Sequence, residues 1–332
     1  MSGAADVSVA LCTWNGARFL AEQVRSICLQ TLPPREIVLS DDGSSDDSVA
    51  VVRRTVAQCL QERPGLAIDL RVMVNQPALR VTKNFEQAAA ACRGALIALS
   101  DQDDAWVPDK LERIVPAFQA RPGLLLLHSD ARLVDGAGAP LGGTLFHALE
   151  TKRSELDRIH GGRAFDVYLR RNLVTGATAV FRRELLDAAR PFPVEWVHDE
   201  WLAIIAAALG EVDVIEAPLI DYRQHGGNQI GARRDTFGEK LRKALGSRGD
   251  THVKRAVKAE QVLERLLGFG ERIGPQRIEQ VRGKVTHQRF RAHLPPSRLA
   301  RIGPVLREAA TGRYDLYGRG VRGIGRDLFE AV

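Results

Sequence analysis

Ala95-Leu96-Ile97-Ala98-Leu99-Ser100-Asp101-Gln102-Asp103-Asp104-Ala105-Trp106 opens as an unbroken apolar run and closes on three carboxylates. The run reads as a strand buried on both faces, of the kind that parallel sheets contain. Like charges crowded at its exit repel one another unless a cation neutralises them. Hard divalent ions take oxygen ligands, and Mg²⁺ binds through one or two carboxylates plus substrate phosphates. Asp-x-Asp at a strand's carboxyl end therefore predicts a metal-bridged diphosphate site. In open α/β sheets that end is where ligands lie. The competing reading is a solvated acidic loop whose Asp104 caps a helix opening at Pro108.

Two earlier segments have the same form. Val7-Ser8-Val9-Ala10-Leu11-Cys12 runs into Thr13-Trp14-Asn15-Gly16, and Glu36-Ile37-Val38-Leu39-Ser40 into Asp41-Asp42-Gly43-Ser44-Ser45-Asp46. Helical spacings follow all three strands: Phe19, Val24, Ile27 and Cys28; then Val49, Val52, Val56 and Leu60; then Leu111, Ile114, Val115 and Phe118. Alternating strands and helices predict an α/β fold with a mostly parallel sheet covered on both faces.

A chain of 332 residues with 45% hydrophobic content supports a large core, one big domain and an appendage. Its longest uncharged apolar stretch, Leu202 to Gly210, falls far short of the roughly 20 residues that span a bilayer. Met1-Ser2-Gly3-Ala4-Ala5-Asp6 lacks the basic and apolar parts of a signal peptide. Cys12, Cys28, Cys59 and Cys92 show no Cys-x-x-Cys spacing and read as buried free thiols, so a reducing cytoplasm is expected. The net charge of +6 hides an asymmetry: 23 Lys and Arg stand against 11 Asp and Glu from Ile230 onward, leaving 24 against 30 before it. Residues 1–230 read as the α/β domain. Residues 231–332 read as a basic helical region broken by Gly268, Gly274-Pro275, Pro295-Pro296 and Gly303-Pro304.

The ordered series Val7-Ser8-Val9, Thr13-Trp14-Asn15, Gln30-Thr31, Glu36-Ile37-Val38, Asp41-Asp42-Gly43-Ser44, Asn84-Phe85, Asp101-Gln102-Asp103-Asp104, His198-Asp199-Glu200-Trp201 and Tyr222-Arg223-Gln224-His225-Gly226-Gly227-Asn228 resembles the family 2 inverting glycosyltransferases of the GT-A nucleotide-diphospho-sugar transferase fold. Within that family the acidic tetrad, His-Asp-x-Trp and Tyr-Arg-Gln-His-Gly look most like bacterial rhamnosyltransferases of O-antigen and cell-wall polysaccharide synthesis. Gly227 stands where such sequences often carry Asn, and Glu200 fills a variable slot, which leaves the donor sugar open.

The resemblance implies a role for each candidate residue. Asp103 is the direct ligand of Mg²⁺ or Mn²⁺, and His225 adds a further metal contact, with Gly226 and Gly227 admitting backbone to the phosphates. Asp101 approaches sugar or ribose hydroxyls. Asp42 accepts from the base N3–H that cytosine lacks, favouring dTDP- or UDP-linked sugars. Thr13 and Asn15 complete the nucleotide side, and Thr175 and Gly176 line the sugar pocket. Asp41 reads as structural, and Ser44 or Asp46 as the cap of the next helix. Inversion needs a base facing the acceptor hydroxyl, and Asp199 at a helix start is the first candidate, Glu200 the second, with His198 orienting either. The alternative for Asp199 is a favourable charge at a helix N-terminus.

The acceptor implied is a saccharide or a polyprenyl-diphosphate-linked saccharide, which would hold the enzyme at the inner face of the cell membrane. There the basic tail would meet anionic lipid; solvated faces of packed helices are the plain alternative, and no motif supports nucleic acid. A UDP-hexose donor is the alternative within the fold. A sugar nucleotidyltransferase is disfavoured, because Thr13-Trp14-Asn15-Gly16-Ala17-Arg18 is not a Gly-rich, basic phosphate loop.

Overall fold

The computed structural model describes residues 5–225 and 251–330. The chain begins with β1 (Ala5–Thr13), α1 (Ala17–Cys28), β2 (Pro34–Asp41), α2 (Ser48–Glu62), β3 (Asp69–Val74), α3 (Arg80–Ala91) and β4 (Leu96–Ser100). These four strands lie side by side as β3-β2-β1-β4, all parallel. Val9, Ala10 and Leu11 of β1 and Ile37, Val38 and Leu39 of β2 are wholly buried, as consecutive positions must be when helices cover both faces. Each helix contributes one apolar stripe, such as Leu20, Val24 and Ile27 of α1.

Beyond β4 the sheet becomes mixed. β5 (Ala105–Trp106), α4 (Lys110–Ala120), β6 (Leu124–Val134), β7 (Pro140–Thr144), α5 (Leu145–Ala148), α6 (Arg153–His160) and α7 (Ala164–Arg170) precede β8 (Val180–Arg182). β8 runs antiparallel to both β4 and β6. α8 (Arg183–Ala189) and α9 (His198–Leu209) lead to β9 (Glu211–Arg223), parallel to β6 and antiparallel to β5. The full order is β3-β2-β1-β4-β8-β6-β9-β5, with β7 beside β6.

Two of these pairings bring distant sequence to the carboxyl end of β4. β5 meets β9 with Ala105 opposite Asp221, so Tyr222 to His225 return beside the acidic loop. β8 meets β4 with Ala98 opposite Val180, and the Leu99 N–H donates to the Ala179 carbonyl at 3.0 Å, which sets the 3₁₀ turn Gly176–Thr178 there as well.

A second unit comprises α10 (Thr251–Leu267), α11 (Pro275–Ala292), α12 (Arg298–Ala310), α13 (Arg313–Tyr317) and α14 (Val321–Phe329). It also takes in residues 163–172, and the first unit holds the remaining described residues up to 225. α7, which lies within residues 1–230 in sequence, groups with the C-terminal helices. The Arg277 guanidinium sits 5.7 Å over the Phe165 ring, Gln280 Nε2 donates to Asp166 at 3.0 Å, and Arg170 Nε donates to the Gly318 carbonyl at 2.7 Å. The boundary at 230 itself lies outside the described residues.

All four cysteines are free and buried. Among the described residues no helix is long and apolar enough to cross a membrane.

Candidate active site

The loops after β1, β2 and β4 are pinned to one another. Gln102 Oε1 accepts from the Thr13 hydroxyl at 2.7 Å and from the Trp14 N–H at 2.8 Å. A Cβ on Gly16 would lie 2.4 Å from that oxygen, so only glycine lets the latch close. Asn15, at φ 51°, accepts from Ser45 N–H at 2.8 Å and gives its own N–H to Ser44 Oγ at 2.8 Å. Asp41 holds the Ser44 N–H at 3.0 Å, and Asp46 holds Ser48 N–H and Ala17 N–H, each at 3.0 Å. Asp42 is buried, and its two oxygens accept from Leu79 N–H at 2.7 Å and Arg80 N–H at 2.8 Å.

Behind this rim lies the acidic loop. Asp103 Oδ2 sits 2.8 Å from His225 Nε2, and the His225 ring stacks on Phe19 with centroids 4.7 Å apart. Asp104 does not cap α4, as the sequence suggested. Its Oδ1 accepts the Arg223 N–H at 3.0 Å, because β9 rather than the neighbouring helix delivers the nearest orphan donor. Its other oxygen has no partner among the described residues. Burial first, then the charges of Asp103 and Asp101, raises the Asp104 pKa well above the carboxylate range. Asp101 is pushed up to about 7 by burial and then by Asp103 and Asp199. Burial and crowding thus favour protonated carboxyls in this loop, and a bound cation would favour their negative charge instead.

Two cations offset part of that charge. Arg223 is buried, donates from Nε to the Asp103 carbonyl at 2.7 Å and pairs through Nη2 with Glu22 at 2.6 Å. Lys110 is wholly buried. Its Nζ lies 3.8 Å over the Trp106 ring and donates to the Ala177 carbonyl at 3.0 Å. Burial pulls its pKa down to about 7 against the opposing charges of Asp104 and Asp101.

The third wall is the Thr175–Thr178 turn with the start of α9. Gly176 N–H donates to Asp199 Oδ2 at 2.8 Å, and Glu200 N–H to Asp199 Oδ1 at 2.5 Å. Both oxygens are thereby oriented, and Asp199 is close enough to Asp101 to raise its pKa. His198 does not orient either carboxylate. Its ring stacks on Phe85 with centroids 3.9 Å apart, neither nitrogen has a hydrogen-bond partner among the described residues, and burial lowers its pKa to about 3. A Cβ on Gly176 would meet His198 Nε2 at 2.5 Å, so this glycine makes room for the imidazole. Gly176→Ala should therefore push the ring off Phe85, costing about 1–3 kcal/mol, and drag Asp199 with it. A thermal melt and a turnover assay check this; wild-type values in both would refute the packing argument.

Thr13, Asn15, Asp42, Asp101, Asp103, Thr175, Gly176, Asp199, Glu200 and His225 thus border the carboxyl ends of β1, β2 and β4, whereas Gly226 and Gly227 lie outside the described residues. Sequence reasoning missed Gln102, Lys110 and Arg223. Gln102 and Arg223 stood inside quoted motifs, so their positions were visible but not their partners.

The donor set fits a hard divalent ion. The 2.8 Å between Asp103 Oδ2 and His225 Nε2 is close to the roughly 3 Å between adjacent ligand atoms of an octahedral ion with bonds of about 2.1 Å. In the C-terminal unit, His252, Asp327 and Glu330 also bring ligand atoms within 4.8 Å of one another. There Arg291 donates to both Asp327 oxygens at 2.7 Å and Arg326 to Glu330 at 2.6 Å, so that negative charge is already balanced.

Comparison with known proteins agrees with the geometry. The chain is 30% identical over 233 residues to an uncharacterized glycosyltransferase of Nostoc sp., covering 67% of this chain and 66% of that protein. It spans about two thirds or less of the length of the curated relatives it matches. By fold it resembles S. aureus TarS 1–349 in complex with UDP-GlcNAc (TM-score 0.60, 14% identity, covering 97% of this chain and 89% of that one). It also resembles the mannosyltransferase PcManGT of Pyrobaculum calidifontis in complex with GDP-Man and Mn²⁺ (TM-score 0.53, 19% identity, 98% and 86%). The family profile described as Glycosyl transferase family 2 matches residues 8–189, from β1 to the end of α8. With more than half its length inside that match, the chain belongs to glycosyl transferase family 2.

Proposed function

We propose that this glycosyltransferase is a divalent-metal-dependent inverting enzyme. It moves rhamnose from a dTDP- or UDP-linked donor to a saccharide or polyprenyl-diphosphate-linked saccharide at the anionic inner face of a bacterial membrane. The observation that carries the reading is the meeting of a paired metal-type donor set, Asp103 and His225, with an oriented carboxylate, Asp199, around one acidic loop.

Asp103 and His225 would hold Mg²⁺ or Mn²⁺, which as a Lewis acid supplies stabilisation of negative charge developing on the departing diphosphate. The chain's own residues do the rest. Gln102 fixes the β1 loop against the β4 loop, and Asp101 faces sugar or ribose hydroxyls from the same loop. Asp42 Oδ1 accepts from Leu79 N–H and from Asn75 Nδ2, whereas Oδ2 accepts from Arg80 N–H and is the oxygen proposed to take a base N–H. Thymine, uracil and guanine present such a donor; cytosine does not. Asp199 takes the acceptor proton as the hydroxyl oxygen attacks the anomeric carbon opposite the leaving group, which inverts the configuration. Gly176 N–H donates to Asp199 Oδ2 and so orients the carboxylate for this transfer.

A UDP-hexose donor is the second reading, favoured by the UDP-GlcNAc held by TarS. A panel of dTDP-rhamnose, UDP-hexoses and GDP-mannose, each with and without Mn²⁺ or Mg²⁺, tests both by thermal shift. The true donor, at 100 times its Kd, should stabilise the fold by about 2.7 kcal/mol, and only with the ion present. Failure of every nucleotide sugar, or stabilisation by a nucleoside triphosphate with a sugar phosphate instead, would overturn the reading.

A further inference from the structure

Helix α12 carries two apolar faces. The inner one seats Val305 against Leu294 and Tyr314, with Arg301 and Glu308 buried beside it. The outer one exposes Leu299 at 81%, Ile302 at 45% and Leu306 at 57%. Positions three and four apart share one side of a helix, so these three form a continuous stripe rather than scattered surface residues. At 3.6 residues per turn, exposed Arg298 and Arg307 fall roughly 70° and 110° to either side of it.

Exposed charge between 298 and 330 is mostly positive. Of the acids between 298 and 330, Glu308, Asp327 and Glu330 are buried. Glu308 pairs with His287 at 2.8 Å and Arg313 at 3.3 Å, and Asp327 and Glu330 are held by Arg291 and Arg326. Asp315 alone remains exposed, against exposed Arg298, Arg307, Arg319 and Arg322. Burying three of the four acids leaves the exposed charge mostly basic, with an apolar stripe between arginines. That is the composition of a helix lying in a lipid headgroup region, with its apolar side set into the acyl boundary and cations at the phosphates.

We infer that the outer face of α12, Leu299, Ile302 and Leu306 flanked by Arg298 and Arg307, docks on an anionic phospholipid bilayer. This rests on the membrane part of the proposed function and names the surface that performs it. A second copy of the chain is the poorer occupant, because facing stripes would bring like-charged arginines together.

Sedimentation of the full chain with vesicles of phosphatidylcholine, alone or mixed with phosphatidylglycerol, tests it. The wild type should bind only the mixed vesicles. Leu299→Gln/Ile302→Gln/Leu306→Gln should lower partitioning about tenfold or more, since binding scales with the apolar area inserted. Arg298→Gln/Arg307→Gln should weaken it severalfold and reduce its salt sensitivity. Thermal melts and donor hydrolysis in solution establish that both variants are folded. Undiminished binding by the triple variant overturns the inference. So does a wild-type dimer that the triple variant converts to monomer without loss of vesicle binding. If instead Lys254→Glu/Arg255→Glu/Lys258→Glu alone abolishes binding, α12 is the wrong surface and the membrane reading survives. A wild type that ignores anionic vesicles refutes both, with the transferase reading untouched.

Discussion

Asp103→Ala should lower sugar transfer by about 10³-fold or more and remove the dependence of donor binding on divalent ions. The magnitude follows from the several kcal/mol that a Lewis acid contributes to a departing diphosphate. The substitution deletes the carboxylate paired with His225 at 2.8 Å but spares the backbone, and it is the Asp103 carbonyl that receives Arg223 Nε at 2.7 Å. The melting temperature should therefore change little while activity collapses. Titrating Mn²⁺ against turnover and donor binding checks this. Wild-type, still metal-dependent turnover would remove Asp103 from the ligand set.

Asp199→Asn should cut kcat by about 10²- to 10⁴-fold, the usual worth of a general base, with donor affinity nearly intact. Asparagine keeps one oxygen, which can accept the Gly176 N–H and hold the pocket wall, while the Glu200 N–H loses its acceptor and the proton-accepting carboxylate is gone. Glu200→Gln should do little by comparison. A crippled Glu200→Gln beside an active Asp199→Asn would exchange the two roles.

What the sequence made legible and what it hid divide along chain distance. The carboxyl ends of β1, β2 and β4 could be read because apolar runs, polar exits and helical stripes are local patterns. β8 is three residues long and β5 two, too short for any periodicity, so the mixed half of the sheet was invisible. Asp104 looked like a helix cap because α4 is the next helix in sequence; its partner, Arg223, lies 119 positions away. Nothing in the local sequence marks Lys110 as buried. Only folding shows it sealed under Trp106 and bonded to Ala177. The place that the missing Cβ of Gly176 makes for His198 also depends on a contact between residues 22 positions apart.

The membership of α7 has a consequence for how this gene can be cut and recombined. The C-terminal unit is encoded in two pieces, residues 163–172 and the region after 232, interleaved with the other unit. A truncation placed near 230 would strand α7, leaving Asp166 without Gln280 and Arg170 without Gly318. The tail is therefore not a detachable cassette: a chimaera that exchanges it should carry residues 163–172 along to keep these bonds.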